Sequence, residues 1–326
     1  MNIAYKIVHA LCYAVSLLPF RVLYALSDAV YLVVYHLVGY RKKTVRQNLA
    51  SSFPEKGKEE LRKIERAFFH FLCDYIVETL KLLSISKEEF LQHVEYRGVE
   101  QMEECFDQGQ TCAAILGHYC NWEYLTPIGL AFQRHTDAVT ALIYHPLASD
   151  ITEQLFLDIR QSLGGTAVSK KEILRRLVGW RRENRMWLAG YVSDQSPKWQ
   201  NIHLWLDFLG HDTPVFTGGE RIMRRMNDAV FYVDMQRPSR GHYIVNFELI
   251  TKDPASLPEN EVTRLFFQRL EQTIRRDPRF YLWSHKRWKR THEEFDRRFV
   301  VKGKKVIPRE QAEAQQKSAD SNAPQS

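Results

Sequence analysis

Cysteine is scarce in this chain: Cys12, Cys73, Cys105, Cys112 and Cys120 are the five in 326 residues, with no CxxC pair. A dense disulfide framework is excluded, and a reducing compartment fits. Charge is scarce at the start, where residues 1–40 carry only Lys6, Arg21 and Asp28. A clean bilayer span is missing as well. Ile7 to Phe20 falls short of the roughly 20 apolar residues a bilayer needs, and Val22 to Tyr40 contains Asp28 and His36, so one tilted span and an interfacial hairpin both fit. A cleavable signal peptide fits less well. The start is weakly basic, only the poor triplet at 25–27 resembles a cleavage site, and RKKTVR follows at once. Residues 1–40 are therefore expected to form an uncleaved membrane anchor. Arg41, Lys42, Lys43 and Arg46 would keep the chain that follows on the cytoplasmic side, by the positive-inside rule.

No internal repeat and no nucleic-acid module is present. The formal charge of +7 points to anionic partners, whether nucleic acid, phospholipid headgroups or an acidic carrier, and composition does not choose among them. In the stretch RRDPRFYLWSHKRWKR, residues 275–290, cations interleave with Tyr281, Trp283 and Trp288, which suits a membrane interface.

Beyond the anchor the pattern alternates. Leu61, Ile64, Phe68, Leu72, Tyr75, Ile76 and Leu80 recur at three-and-four spacing, which predicts a long amphipathic helix. Short apolar strands follow in TCAAIL, TDAVTALIY and RMWLAGYV, separated by helical stretches such as SDITEQLFLDIRQSLG and KKEILRRLVGWRR. GGERIMRRM starts another helix with Ile222, Met223 and Met226 toward the core, and DAVFYVDMQ with HYIVNFELI reads as a hairpin across RPSRG. A further helix runs from Glu259 to Arg276, stopped by Asp277 and Pro278. This rhythm predicts an α/β fold, a mixed central sheet flanked by helices, with the helical anchor in front. The domains are then an anchor at 1–40, a catalytic domain at 41–300, and a polar tail at 301–326 with too little apolar content to fold.

Ligand chemistry in such folds gathers where strands end and helices begin. GHYCNWEY, residues 117–124, lies at that kind of junction. On one continuous helix His118 and Glu123 would stand about 140° apart. If a strand ends at Gly117 and a helix starts at Asn121, a favoured capping type, the two side chains can meet. Glu123 would then orient His118, and the imidazole could take a proton from an acceptor hydroxyl as it attacks a thioester. Three other readings stay open on spacing alone. His118 and Glu123 could serve only local hydrogen bonding and the helix N-terminus. Cys120 could be a thiolate nucleophile activated by His118, or Cys112, His118 and Cys120 could hold zinc, although their spacing fits no usual metal pattern.

GHYCNWE resembles the H-x4-[DE] signature of membrane-bound glycerolipid and lipid A acyltransferases, in the H-x3-W-E form of the late acyltransferases of lipid A biosynthesis. Four further blocks agree in order. YRKKTVRQNLASSFPEK at 40–56, SDQSP at 193–197, FLG with TPVFTGG at 208–219, and WSHKRWK at 283–289 are similar to that family's blocks. The sequence departs from it where Ser196, Pro197 and Lys198 replace the usual acidic residue and glycine, and it lacks the EGTR-type phosphate block of the glycerophosphate acyltransferases.

The resemblance implies a metal-free, cofactor-free acyltransferase at the cytoplasmic face of the inner membrane. It implies acyl carrier protein thioester, or acyl-CoA, as donor and an anionic glycolipid, a lipid A precursor, as acceptor. His118 and Glu123 are the expected catalytic pair. Arg160, which precedes Gly164 and Gly165, is a candidate phosphate ligand, and Asp194, Gln195 and Asn121 are candidates for holding substrate. Transfer to a lysophospholipid, aminolipid or glycosylated lipid, and a non-catalytic lipid-binding role, are the alternatives.

Overall fold

The computed structural model describes residues 3–303 and 305–314. Its strands are β1 (Val94–Arg97), β2 (Cys112–Leu116), β3 (Val139–Tyr144), β4 (Thr166–Ser169), β5 (Trp187–Val192), β6 (Trp205–Phe208), β7 (His211–Pro214), β8 (Ala229–Ser239), β9 (His242–Thr251), β10 (Phe299–Lys302) and β11 (Lys305–Pro308). Seven of them form the central sheet in the order β1-β9-β8-β2-β5-β3-β4, where β8 and β9 pair antiparallel and every other neighbour pairs parallel. Every residue of β2 is buried, as expected of a parallel strand covered by helices on both faces. The expected α/β architecture with a mixed central sheet is what the chain adopts.

The helices are α1 (Ile3–Ser16), α2 (Phe20–Leu32), which runs on as a π-helical turn at Val33–Val38, α3 (Lys42–Ser52), α4 (Lys58–Lys81), α5 (Lys87–His93), α6 (Val99–Asp107), α7 (Asp150–Gln161), α8 (Ile173–Arg182), α9 (Gly218–Met226), α10 (Glu261–Arg276) and α11 (His292–Arg298). Phe20–Val38 is long and apolar enough to cross a membrane by length and composition. On α4 the core face runs through Ile64, Phe68, Phe71 and Tyr75. Ile76, expected among them, is 47% exposed. On α9, Met223 and Met226 are buried as the pattern predicts.

Two segments differ from the sequence reading. β11, inside the stretch read as a structureless tail, pairs antiparallel with β10, and Val306 is buried beside Phe295 and Phe299. The tail beyond residue 314 lies outside the described residues. The aromatic stretch near 280 is not a surface belt. Tyr281, Trp283 and Arg287 are buried, and Trp283 meets Phe53 edge-on with ring centroids 5.7 Å apart. The backbone explains this, because Leu282 N donates to His118 O at 3.1 Å and Cys120 N to Phe280 O at 3.0 Å. The segment is thereby threaded against the turn that follows β2.

Candidate active site

β2 and β5 are adjacent and parallel, with Leu116 opposite Val192. Each strand runs two residues further to a polar side chain, His118 from β2 and Asp194 from β5, so the ladder register itself sets these two side by side. Ser193 N, donating to Leu116 O at 3.0 Å, extends the ladder to that point. His118 Nδ1 lies 2.6 Å from Asp194 Oδ1, and Gln195 Nε2 lies 3.1 Å from His118 Nε2. α10 approaches the turn closely: a Cβ at Gly117 would stand 2.7 Å from Leu270 Cδ1 and would have to push the end of that side chain aside.

Asp194 is 2% exposed. Burial alone would raise its pKa. The charge of His118, the hydrogen bonds from its ring and backbone, and the nearby Arg287 guanidinium outweigh that and leave the carboxyl below its ordinary range. It is therefore a carboxylate at neutral pH, and as an acceptor it selects, for the uncharged imidazole, the tautomer with the proton on Nδ1. Arg287 is itself fully buried, donates from Nη2 to Pro214 O at 2.8 Å, and is pushed down to about 10 by burial. His285, on the other side, is pushed down to about 4 by burial, with Asp194 opposing the shift, and its Nε2 accepts from Ser196 N at 3.4 Å.

Glu123 is placed differently from the sequence expectation. Cys120 takes a left-handed conformation with φ of 52°, and the chain then enters a 3-10 helix, Trp122–Ala131, instead of an α-helix. These two features turn Glu123 inward, where it is 0% exposed. Its carboxylate accepts from Arg160 Nε at 2.7 Å and Nη2 at 2.6 Å, and from Trp122 Nε1 at 3.2 Å. Among the hydrogen bonds of the described residues, none joins Glu123 to His118. The link is indirect: the Trp122 ring meets the His118 ring edge-on, with centroids 4.9 Å apart. Arg160 reaches Glu123 because the end of α7 folds back tightly, at a glycine whose Cβ would sit 2.7 Å from Arg160 O and 2.8 Å from Thr126 O. That glycine is Gly165, part of the arginine-then-glycine pattern.

A cleft of about 450 Å3 opens beside His118 and Gln195. Its walls are mostly apolar, among them Trp122, Leu142, Ile173, Val192 and Phe216, with Arg160 and Lys170 as the cations. This suits a ligand with a long hydrocarbon part and a polar end. Of the residues expected to hold substrate, Arg160 and Gln195 line the cleft. Asp194 sits behind His118. Asn121 does not line it, because its side chain is buried and donates from Nδ2 to Glu78 Oε2 at 3.2 Å. The thiol readings are not supported. Cys120 is fully buried, with Sγ 3.9 Å from Met235 O, and burial pushes its thiol well above the ordinary range. Cys112 Sγ turns instead to Met102 O at 3.9 Å, away from any shared site with His118.

Spacing along the chain did not reveal the His118–Asp194 pair, nor Tyr281, His285 and Arg287 behind it. The signal available was the order of the motif blocks, which placed SDQSP and WSHKRWK in one pattern with GHYCNWE.

No curated protein matches the chain. A profile described as bacterial lipid A biosynthesis acyltransferase matches residues 2–290, which takes in the cleft, both charged pairs and the buried segment behind them. The chain belongs to the bacterial lipid A biosynthesis acyltransferase family.

Proposed function

We propose that this protein moves a fatty acyl chain from a carrier thioester, acyl carrier protein before coenzyme A, to a hydroxyl of a lipid A precursor at the cytoplasmic face of the inner membrane. His118 is the general base and Asp194, in place of the expected Glu123, is its orienting partner. The observation that carries the reading is the 2.6 Å His118–Asp194 pair at the mouth of an apolar cleft of about 450 Å3. The acceptor hydroxyl takes the place that Gln195 holds at Nε2 and gives its proton to that nitrogen while its oxygen bonds to the thioester carbonyl carbon. The tetrahedral intermediate then expels the carrier thiolate, which receives the proton back from the imidazolium. Asp194 stabilises the imidazolium between those two steps without itself being protonated.

Arg160 stands at the cleft wall with its charge already matched by Glu123. It is therefore assigned to shaping the cleft and presenting its remaining donors to an anionic headgroup, beside Lys170, which forms no ion pair among the described residues. The basic surface suits docking of an acidic carrier.

The test is mass-detected acyl transfer from acyl carrier protein thioester to extracted lipid A precursor by the purified full chain. Acylated precursor that disappears with His118→Ala supports the reading. Transfer only to a lysophospholipid or aminolipid would move the acceptor, and lipid binding without turnover would leave a non-catalytic carrier.

A further inference from the structure

The N-terminal forty residues form two helices with two unlike faces. Exposed along one face are Ile3, Ile7, Leu11 and Leu17 of the first helix and its turn, then Val22, Leu26, Leu32, Val33, Leu37 and Val38 of the second. The opposite face is polar and tied down. Tyr24 donates to Glu78 at 3.0 Å, Ser27 to Asp74 at 2.7 Å, Tyr31 stacks edge-on with His70 at 5.3 Å, and Tyr35 donates to Glu65 at 3.1 Å. As the first residue number of each pair rises, the second falls, so α2 and its π-helical turn lie antiparallel along α4 for their whole length. Asp28 adds a pair to Arg240 at 2.6 Å from the β8–β9 turn. α1 is held in the same way. Tyr5 donates to Asp158 of α7, and the backbone of Ser16 and of Leu18 accepts from Ser84 at 2.7 Å and Lys81 at 3.3 Å.

From these contacts we infer that the N-terminal segment is an in-plane helical hairpin that seats the protein in one leaflet of an anionic bilayer, without crossing it. Phe20–Val38 passes the length test for a span. As a span, however, it would point Tyr24, Ser27, Asp28 and Tyr35 into hydrocarbon and take one hydroxyl donor each from the buried Glu65, Asp74 and Glu78, leaving them to Arg46, Arg237, Arg240 and Tyr243. As an in-plane hairpin it keeps every one of these contacts and immerses only the apolar face. The charge pattern agrees with an anionic surface. Lys6, Arg21, Arg41 and Lys43 are exposed, and Asp28, the one acidic residue between residues 3 and 43, is already matched by Arg240. Asp158, which holds α1, and Arg160, which lines the cleft, are two residues apart on α7, so the membrane seat and the cleft wall move as one piece. None of this depends on the acyl-transfer reading.

The experiment uses a Lys6→Cys/Ser51→Cys double variant of the full chain on a Cys12→Ser background, the other four cysteines being buried. It is reconstituted into phosphatidylethanolamine–phosphatidylglycerol vesicles and exposed to a membrane-impermeant maleimide, and labels per chain are counted by mass spectrometry. An in-plane hairpin puts both positions on one side, so each chain carries two labels or none, whatever the mixture of orientations. Chains carrying one label would show a span and overturn the inference. A fluorophore at Leu11→Cys or Leu37→Cys should be quenched more by lipids carrying the quencher near the headgroup than by those carrying it at the acyl terminus. Quenching by neither would show that the face is not in lipid, and would overturn it equally.

Discussion

Two charged pairs flank the Trp122 ring, and they are built for different work. In one, an imidazole meets Asp194 through a single 2.6 Å contact and keeps its other nitrogen toward the cleft. In the other, a guanidinium grips Glu123 with two bonds of 2.7 and 2.6 Å in a buried position. An imidazole with one nitrogen held by a carboxylate and the other facing a cleft can take a proton from a substrate and return it. A bidentate arginine stays charged at all working pH values and can only hold position. On the proposed mechanism the first pair carries the chemistry and the second the architecture, although the signature motif names one member of each.

The largest effect is expected where the first pair is broken. Asp194→Asn keeps the shape but loses the charge that fixes the tautomer, and should lower turnover roughly 100- to 10,000-fold in protein that still folds, with some loss of melting temperature because Arg287 loses a nearby counter-charge. His118→Ala should be at least as severe. Glu123→Gln should behave in the opposite way, leaving Arg160 buried without its counter-charge at a cost of about 3–5 kcal/mol of stability. Parallel acyl-transfer and thermal-melt measurements on the purified variants separate the two. If Glu123→Gln abolished turnover at an unchanged melting temperature while Asp194→Asn stayed active, the roles would have to be exchanged.

A sharper form of the comparison replaces both members of the second pair. Glu123→Leu with Arg160→Met exchanges a buried ion pair for apolar groups of similar size, and should regain most of the stability that Glu123→Gln alone loses. Urea midpoints of the two single variants and the double variant measure the coupling. Additive losses would mean that the pair contributes no mutual stabilisation.

The contrast also explains what could be read from the residues. CAAIL, RMWLAGYV and the hairpin around RPSRG were legible because apolar runs bounded by turn residues fit little else. TAVS at 166–169 was not, since four residues of which only Val168 is fully buried carry no period. The same limit acts at the site. His118 was legible from its place after a strand, and Asp194 from its place at the same sheet edge, yet pairing them requires the β2–β5 register, which joins residues 76 apart in the chain. Proximity favoured Glu123, and only the left-handed Cys120 and the 3-10 helix after it turn that carboxylate away. Likewise, cations interleaved with aromatic rings at 275–290 carry the same pattern whether they line a membrane or back a buried carboxylate.

A smaller effect should come from His285, which touches the first pair's surroundings without joining it. With its pKa lowered to about 4, the folded state binds fewer protons than the unfolded state between that value and the ordinary 6.5, so stability falls as pH drops through this window. The loss between pH 7 and pH 5 should be roughly 2 kcal/mol. His285→Gln should flatten that slope in urea midpoints taken at the two pH values. An unchanged slope would mean that His285 titrates normally and that the space behind Asp194 is wetter than its burial indicates.

The smallest effect on turnover is expected at Cys120, and it is the most direct check on where the reactive group lies. The residue sits two positions from His118, but its thiol is fully buried and faces Met235 O at 3.9 Å, and burial disfavours the thiolate. Serine preserves the size and offers Met235 O a better donor, so Cys120→Ser should keep turnover within about twofold of the parent. Native protein should likewise resist iodoacetamide at this position while denatured protein reacts. A folded Cys120→Ser variant without activity would mean that an acyl group passes through the thiol, and the imidazole's partner would then have to serve sulfur instead of the acceptor's oxygen.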